Sequence, residues 1–451
     1  MKVGGRAWAV GALGGLQCAL LVWGSSAPVA TQLIGVLAAA ALGGLALLWI
    51  AFDSRFAQTP LAWVIDLAFV LRLIAVQAQP LLEDDHYRYL WDGMRTAQHF
   101  DPYRSAPSAF FGANDLAPEW QDILSGINNP SIPTLYGPVL QALFALAHML
   151  APGRVGAVQG LVLLADLGCI AVLARLGVGS RWLLAYALHP MILKEAMASA
   201  HPDGLVGLWL LLALLAWQRE RMVFTGLLLG LAVATKVAAL LVVPLFLFGP
   251  HRTTAFWRTA GGVALGAVVA LGAAYVPFLA AGGSDAVGLQ AFAAQWRFNP
   301  LLYRVIEAGA PSGMARPVAA LMIAAGVVAV LWHWHWRWRS PTGGAGSPGG
   351  TANVPPIDAV LLLLLLFAPV VNPWYALWAI GPAIAARRAL VPVMGWVTVL
   401  AYLNGSVLQE AGVLPATDSM VPYGVPWPIA LIQVTAVAVA AAGTAWIQRR
   451  A

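Results

Sequence analysis

Residues 61–93 read LAWVIDLAFVLRLIAVQAQPLLEDDHYRYLWDG, an apolar helix that runs within a few positions into the densest acidic cluster of the chain, Glu83, Asp84 and Asp85. The cluster is conspicuous because only 10% of the 451 residues are charged, while 60% are hydrophobic. The mean hydropathy is +0.77. A soluble domain would carry about 25% charged residues. Apolar runs approaching the roughly 20 residues that cross a bilayer recur along the whole chain. AWAVGALGGLQCALLVW (7–23), LVGLWLLLALLAW (205–217) and VLLLLLLFAPVV (360–371) are examples. A transmembrane barrel would alternate every second residue instead of presenting solid apolar blocks. The fold class is therefore an all-α polytopic membrane protein.

The net charge of +6 does not require a polyanionic partner. Most arginines stand singly or in pairs between apolar blocks, where the positive-inside bias places them, and no nucleic acid partner is expected. The two cysteines, Cys18 and Cys169, fall inside apolar segments, so neither a disulfide framework nor a cysteine metal site follows. The opening MKVGGRAW resembles a signal-peptide n-region, but the apolar stretch behind it lacks a small-residue cleavage site and reads as an uncleaved first span.

Lys2 and Arg6 set the N-terminus in the cytoplasm, and spans at 7–24, 30–51 and 61–80 then bring the acidic cluster to the outer, periplasmic face. The polar stretch 83–134 is expected to hold two short helices, around YRYLWDGMRTAQ and LAPEWQDILSG. Structured loops of this length are usually functional. Segment 135–151 is expected to lie along the outer surface or re-enter, because a crossing there would carry Arg175 and Arg181 outside. Further spans follow at 155–174, 182–199 and 204–218. Two half-helices, 222–235 and 237–249, flank Lys236, and the remaining spans fall at 259–279, 317–336, 357–371, 374–386, 389–405 and 426–446. The total is about 12–14 transmembrane helices, with Arg337, Arg339, Arg387, Arg388, Arg449 and Arg450 cytoplasmic. The chain divides into a transmembrane module 1–339 with its outer loop 81–151, a flexible cytoplasmic linker 340–356, and C-terminal helices 357–451.

Under this topology the polar residues gather at the outer ends of spans: Glu83, Asp84, Asp85, His201, Asp203, Lys236, Arg297, Asn299 and Asn372, with Lys194 and Glu195 somewhat deeper. Polar groups at membrane depth mark functional cavities by default. Plainer readings exist: solvated charges for the acidic run, an interfacial ring for His201, a snorkelling Lys236, and a structural pair for Lys194 and Glu195. Asp66, Arg72 and Asp166 lie deeper and are expected to hold helices together. WHWHWRWR (332–339) reads as an aromatic belt with a basic flank and not as a metal tract.

Paired carboxylates beside membrane-level cations suit glycosyl transfer from a lipid phosphate. A carboxylate takes the proton of an acceptor hydroxyl that attacks the anomeric carbon. Cations stabilise the charge growing on the departing phosphate.

The ordered set EDDHYRYLWDG, DPYRSAP and INNPSIPTLYGPVLQALF resembles the first outer loop of bacterial glycosyltransferases of the GT-C superfamily, and more distantly the mannosyltransferases of glycosylphosphatidylinositol assembly. LHPMILKEAMASAHPDGL, GLLLGLAVATKVAALLVVPL, FNPLLYR and VVNPWYALW extend the resemblance to about residue 380. It implies a GT-C-like helical bundle with a large structured first outer loop, a polyprenyl-phosphate-linked sugar donor (mannose favoured) and inversion at the anomeric carbon. It also implies a glycan or glycolipid acceptor and a periplasmic active site in the inner membrane. The family's acidic motif falls on Asp84 and Asp85. Bacterial relatives usually place an aspartate two residues before the tyrosine, so the resemblance implies Asp85 as base with Asp84 supporting, while His86 replaces the second acid of the Asp-x-Asp variant. Where relatives often have INHP, this chain has Asn129. Arg88, Lys236 and Arg297 are expected on the donor phosphate. His201, Asp203, Glu83 and Asn372 are expected around sugar and acceptor, with Tyr87, Trp91 and Asp92 fixing the loop helix. No metal or other cofactor is assigned. One alternative is a lipid-linked glycan flippase or other transporter, disfavoured by the lack of an internal repeat and by the gathering of polar groups on one side. Another is a glycan polymerase, which need not bind a monosaccharide donor.

Overall fold

Apolar sequence dictates helix here, because a backbone without water must satisfy its own hydrogen bonds. The computed structural model describes residues 4–114, 116–248, 256–339, 354–415 and 424–450, excluding the side chains of 337–339 and 444–450. The chain is all-α, with no strand among the described residues beyond a single bridge between Phe298 and Val370. Of the expected linker 340–356, residues 340–353 lie outside the described residues, as do the side chains of Arg337, Arg339, Arg449 and Arg450.

Among the described residues, five helices are long and apolar enough to cross a bilayer: Gly5–Ser25, Val29–Phe52, Val155–Arg175, Phe256–Ala280 and Ala315–Trp336. Large apolar side chains such as Ile34, Leu45, Leu164, Val268 and Leu321 are exposed along them, as a lipid-facing surface requires. Other expected spans are shorter or broken. Span 182–199 divides into Ser180–Ala187 and a π-helical turn, Ile192–Ala198, with Pro190 between them. Residues 357–371 and 374–386 form Ile357–Phe367 and Leu377–Ala385, separated by Pro369 and Pro373. The 222–249 segment breaks at Lys236, as its central Thr235 and Lys236 imply. Met222–Thr235 ends there, Lys236 is extended (φ −145°, ψ 124°), and a 3₁₀ turn Val237–Val242 leads into Val243–Leu247.

Helices Met222–Thr235 and Phe256–Ala280 cross at glycines. A Cβ on Gly226 would lie 2.1 Å from the Val263 carbonyl oxygen, and one on Gly266 would lie 2.0 Å from that of Val223. Small residues of this kind let membrane helices approach backbone to backbone. The loop 81–151 carries helices Asp85–His99, Pro118–Ser125 and Pro138–Leu150, each of the last two opened by proline in its first turn. Gly137 abuts the end of Met222–Thr235, where a Cβ would meet the Ala234 carbonyl oxygen at 2.2 Å. That contact fixes the loop against the break at Lys236.

Beneath the acidic cluster, Arg72 is completely buried. Its Nε donates to Asp166 Oδ2 at 2.7 Å and its Nη1 to the Ala187 carbonyl at 2.6 Å, while Tyr186 donates to Asp166 Oδ1 at 2.7 Å. Three segments are thereby tied together. Asp66, expected beside them, is exposed instead. The buried core is continuous from Val10 through Phe246 to Val407, so Ile357–Phe367 and Leu377–Ala385 pack into the same core as the N-terminal helices, while Trp427–Arg450 places Ala430 and Val437 in a second, smaller cluster.

Candidate active site

The acidic cluster is presented by a sharp backbone turn. Leu82 is left-handed (φ 56°), a region that apolar L-residues rarely occupy, and its amide donates to Gln32 Oε1 at 3.0 Å. Helix Asp85–His99 starts directly after, placing Asp85 in its first turn, where the helix dipole favours an anion. The Asn128 amide donates to both Asp84 Oδ1 (2.5 Å) and Asp85 Oδ1 (3.1 Å), and the Tyr136 hydroxyl donates to Asp85 Oδ2 (3.2 Å). Both donors come from INNPSIPTLYG.

The second wall is the π-helical turn. Its widened register carries the Ser199 amide to the Lys194 carbonyl (2.9 Å), and Ala200 then turns left-handed (φ 61°) so that the His201 amide reaches the Glu195 carbonyl (2.9 Å). Such turns recur at functional sites. The Gln159 amide bonds the carbonyls of Ala78 (2.9 Å), Met197 (3.1 Å) and Ala198 (3.0 Å), locking the turn to the approach of the acidic loop. His201 is fully buried and stacks on Trp374 at 4.0 Å between ring centres. Its Nε2 lies 3.7 Å from Asp85 Oδ2 and its Nδ1 3.3 Å from Glu195 Oε2, and neither nitrogen completes a hydrogen bond.

On one side of His201, Lys194 Nζ faces Glu195 Oε2 (3.1 Å) and Glu83 Oε1 (3.8 Å) and donates to the Tyr402 hydroxyl. Tyr402 contacts both Glu195 Oε1, at 2.8 Å, and Glu83 Oε1. On the other side, Lys236 Nζ lies 3.6 Å from Asp203 Oδ1 and 4.7 Å from the centre of the Tyr136 ring. Trp378 Nε1 donates to Asp203 Oδ1 at 2.7 Å, and Asp203 Oδ2 is buried with no partner. Asp85, His201, Asp203 and Lys236 thus converge around a buried carboxylate oxygen that has no hydrogen-bond partner.

Electrostatics separates the acids. Burial pushes the Glu83 carboxyl up to about 8, against the pull of Lys194 and His201. Asp84 rises to about 6 through burial and the Asp85 charge. For Asp85, burial is outweighed by His201, the Asn128 amide and Lys236, which hold the carboxyl below its ordinary range. Burial also lowers His201, but Asp85, Glu195 and Glu83 overcome it and bring the imidazole up to about 9. At neutral pH Asp85 is an anion facing an imidazolium. Tyr402 has one proton and two carboxyl neighbours, so one of these carries a proton of its own, and Glu83 is the acid driven to do so.

The other residues singled out in the sequence are placed differently. Arg88 is occupied within the loop, by Asp92 Oδ1 (3.1 Å) and the Ile132 carbonyl (2.9 Å), and Asp92 also receives the Gln141 amide (3.1 Å). The Tyr87 ring covers Gly126, and Trp91 packs edge-on against Phe110 at 5.3 Å. Arg297 is half-exposed and paired with Glu307 at 2.6 Å. Asn372 stands at the start of the turn Pro373–Ala376 that carries Trp374. Sequence reasoning left Asn128, Tyr136, Trp374, Trp378 and Tyr402 without roles. The first four lie inside the quoted motifs, but nothing local distinguishes Tyr402. Among the described residues no three His, Cys, Asp or Glu side chains are disposed to hold a metal ion.

No curated protein and no solved structure matches the chain. Residues 3–250, more than half of its length, match the model of the MptA_B family, described as alpha-(1->6)-mannopyranosyltransferase, N-terminal domain. A helical membrane chain whose acidic loop meets a buried histidine and lysine is what a membrane glycosyltransferase needs, and this chain belongs to that family of GT-C mannosyltransferases.

Proposed function

We propose that this mannosyltransferase takes its sugar from a polyprenyl-phosphate donor and delivers it, with inversion, to a hydroxyl of a lipid-linked or cell-envelope glycan. The reaction runs on the periplasmic face of the inner membrane, with both termini cytoplasmic. The observation carrying this reading is Asp85, an ionised carboxylate held by Asn128 and Tyr136 and faced by His201. In a single displacement the acceptor oxygen bonds to the anomeric carbon, its proton passes to Asp85, and the bond to phosphate breaks with its electron pair leaving on the phosphate.

Lys236, on the break between two short helices, is assigned to that phosphate. Asp203 and the Trp374 and Trp378 rings are assigned to the sugar, whose apolar face suits stacking. Asn372 supports the Trp374 turn, and Asp84 shares the Asn128 amide and orients Asp85. Arg88, committed to Asp92 and Ile132, acts by holding the loop, together with Tyr87 and Trp91. Arg297 sits one residue before the bridge to Val370 and is assigned to the rim of the donor path.

Purified protein in lipid, given radiolabelled polyprenyl-phosphate mannose and a mannoside acceptor, is expected to form a longer mannoside. Transfer from a nucleotide-linked mannose alone, or movement of donor across the bilayer without transfer, would overturn the reading. Lys236→Ala should raise the donor KM by about 10- to 100-fold while changing the acceptor KM little, the effect of losing one charge-assisted contact. Equal effects on both substrates would remove Lys236 from the phosphate. A cysteine placed at the exposed Asn114 should react with an impermeant maleimide from the periplasm. Labelling only after the inner membrane is opened would reverse the orientation.

A further inference from the structure

We infer that Glu195 is a positioning residue for the transfer, holding His201 as an imidazolium against Asp85, and that Tyr402 and Lys194 fix Glu195 in that task. The inference rests on the assignment of Asp85 above.

The geometry is a chain of buried groups. Asp85 Oδ2 faces His201 Nε2 at 3.7 Å, and His201 Nδ1 faces Glu195 Oε2 at 3.3 Å. The same Glu195 oxygen lies 3.1 Å from Lys194 Nζ, and its other oxygen lies 2.8 Å from the Tyr402 hydroxyl. Glu195 is therefore an anchored anion, unable to swing away from the imidazole. Around His201 the remaining neighbours are Glu83, the neighbouring His86, the Tyr89 ring at 6.2 Å and the stacked Trp374. Around Tyr402 they are Lys194, Glu195 and Glu83. The helices packed on its turn, Val29–Phe52, Leu390–Thr398 and Trp427–Arg450, carry no charged residue before Arg449. His201 thus answers to Asp85, Glu195 and Glu83; Asp85 is the proposed base, and Glu195 has no proposed contact with substrate.

Two consequences follow. The imidazolium offsets the acidic cluster, so that an anionic phosphate can approach Lys236. The assembly also draws on residues beyond the matched N-terminal domain, because Trp374 and Tyr402 lie well past residue 250. The C-terminal helices thus complete the site.

The sign of the pH dependence is fixed by a raised histidine. Its charge is present at neutral pH and lost as pH rises through about 9. In the wild-type enzyme kcat/KM for the donor should fall on the alkaline side near that value. Glu195→Gln should move this limb down toward the ordinary histidine range, with a loss of about tenfold or more at pH 8. Glu195→Asp, which keeps the charge, should leave the limb close to wild type while lowering kcat. Nitrogen-15 spectra of histidine-labelled protein, with His201 assigned by its loss in His201→Gln, report the same protonation without any turnover. A His201 that titrates near 6.5 in the wild-type protein would overturn the inference, as would a limb that Glu195→Gln leaves in place or that Glu195→Asp moves equally. Absence of transfer by the wild-type enzyme, with His201 still protonated through pH 8, would instead fault the proposed reaction.

Discussion

Asp85→Asn is expected to lower kcat for mannosyl transfer by about 10²- to 10⁴-fold, the range for loss of a general base, with the donor KM changed little. The substitution is nearly isosteric: the amide oxygen can keep the Asn128 donor, and the Tyr136 hydroxyl can turn to accept from the new amide nitrogen, so protein levels should hold. What disappears is the proposed proton acceptor, whose carboxyl His201, the Asn128 amide and Lys236 hold below its ordinary range. The matched comparison is Asp84→Asn. Asp84 shares the Asn128 amide but lies outside the His201 contact, and its carboxyl is pushed up to about 6. Its loss should stay within about tenfold, since it removes an orienting hydrogen bond and not the base. Full transfer by Asp85→Asn, or a larger defect in Asp84→Asn, would move the base off Asp85. Initial rates with saturating acceptor at pH 7 separate these outcomes.

Those two variants also mark how far the sequence could be read. An acidic run at the end of an apolar helix is visible because charge is scarce and every carboxylate stands out. The break at Lys236 is visible for the same reason: Thr235 and Lys236 interrupt an otherwise unbroken apolar run, and Lys236 is indeed the extended residue between two short helices. Two of the loop helices were legible as the segments around YRYLWDGMRTAQ and LAPEWQDILSG, set apart by the turn-rich DPYRSAPS. What could not be read was register. Hydropathy merges residues 182–199 into one span, whereas Pro190 divides them and packing against Gln159 sets the π-helical turn that aims Glu195 at His201. The Tyr402 contact with Glu195 joins positions 207 residues apart in an apolar stretch that looks ordinary. In the motif INNP the position that differs from relatives, Asn129, is left-handed (φ 47°) and exposed, while its neighbour Asn128 binds both aspartates. Asp66 failed for a geometric reason. Six residues at about 100° each put it on a different face of its helix from Arg72.

The Arg72–Asp166 pair carries the largest expected effect on stability. Arg72 is inaccessible to solvent and Asp166 nearly so. Asp166→Leu would leave a buried guanidinium hydrogen-bonded to the Ala187 carbonyl and lying over the Tyr186 ring, with no countercharge, and removing one member of such a pair destabilises by about 3–5 kcal/mol. The hydroxyl of Tyr186 would lose its acceptor as well. Arg72→Met in the same protein should recover most of that loss, because two apolar side chains of similar volume satisfy a low-dielectric interior as well as an ion pair does. Tyr186→Phe, which removes a single hydrogen bond, should cost only about 1 kcal/mol. Thermal unfolding in one detergent, followed by intrinsic tryptophan fluorescence, ranks the three. A double variant as unstable as Asp166→Leu would mean that the pair itself, and not the stranded charge, holds these helices. Because the pair ties Leu61–Ala75 to Val155–Arg175 and Ser180–Ala187 below both the acidic loop and the π-helical turn, a further separation is expected. The double variant should regain stability yet transfer mannose more slowly than wild type, since apolar packing restores cohesion without fixing the orientation in which Glu195 and Asp85 meet His201.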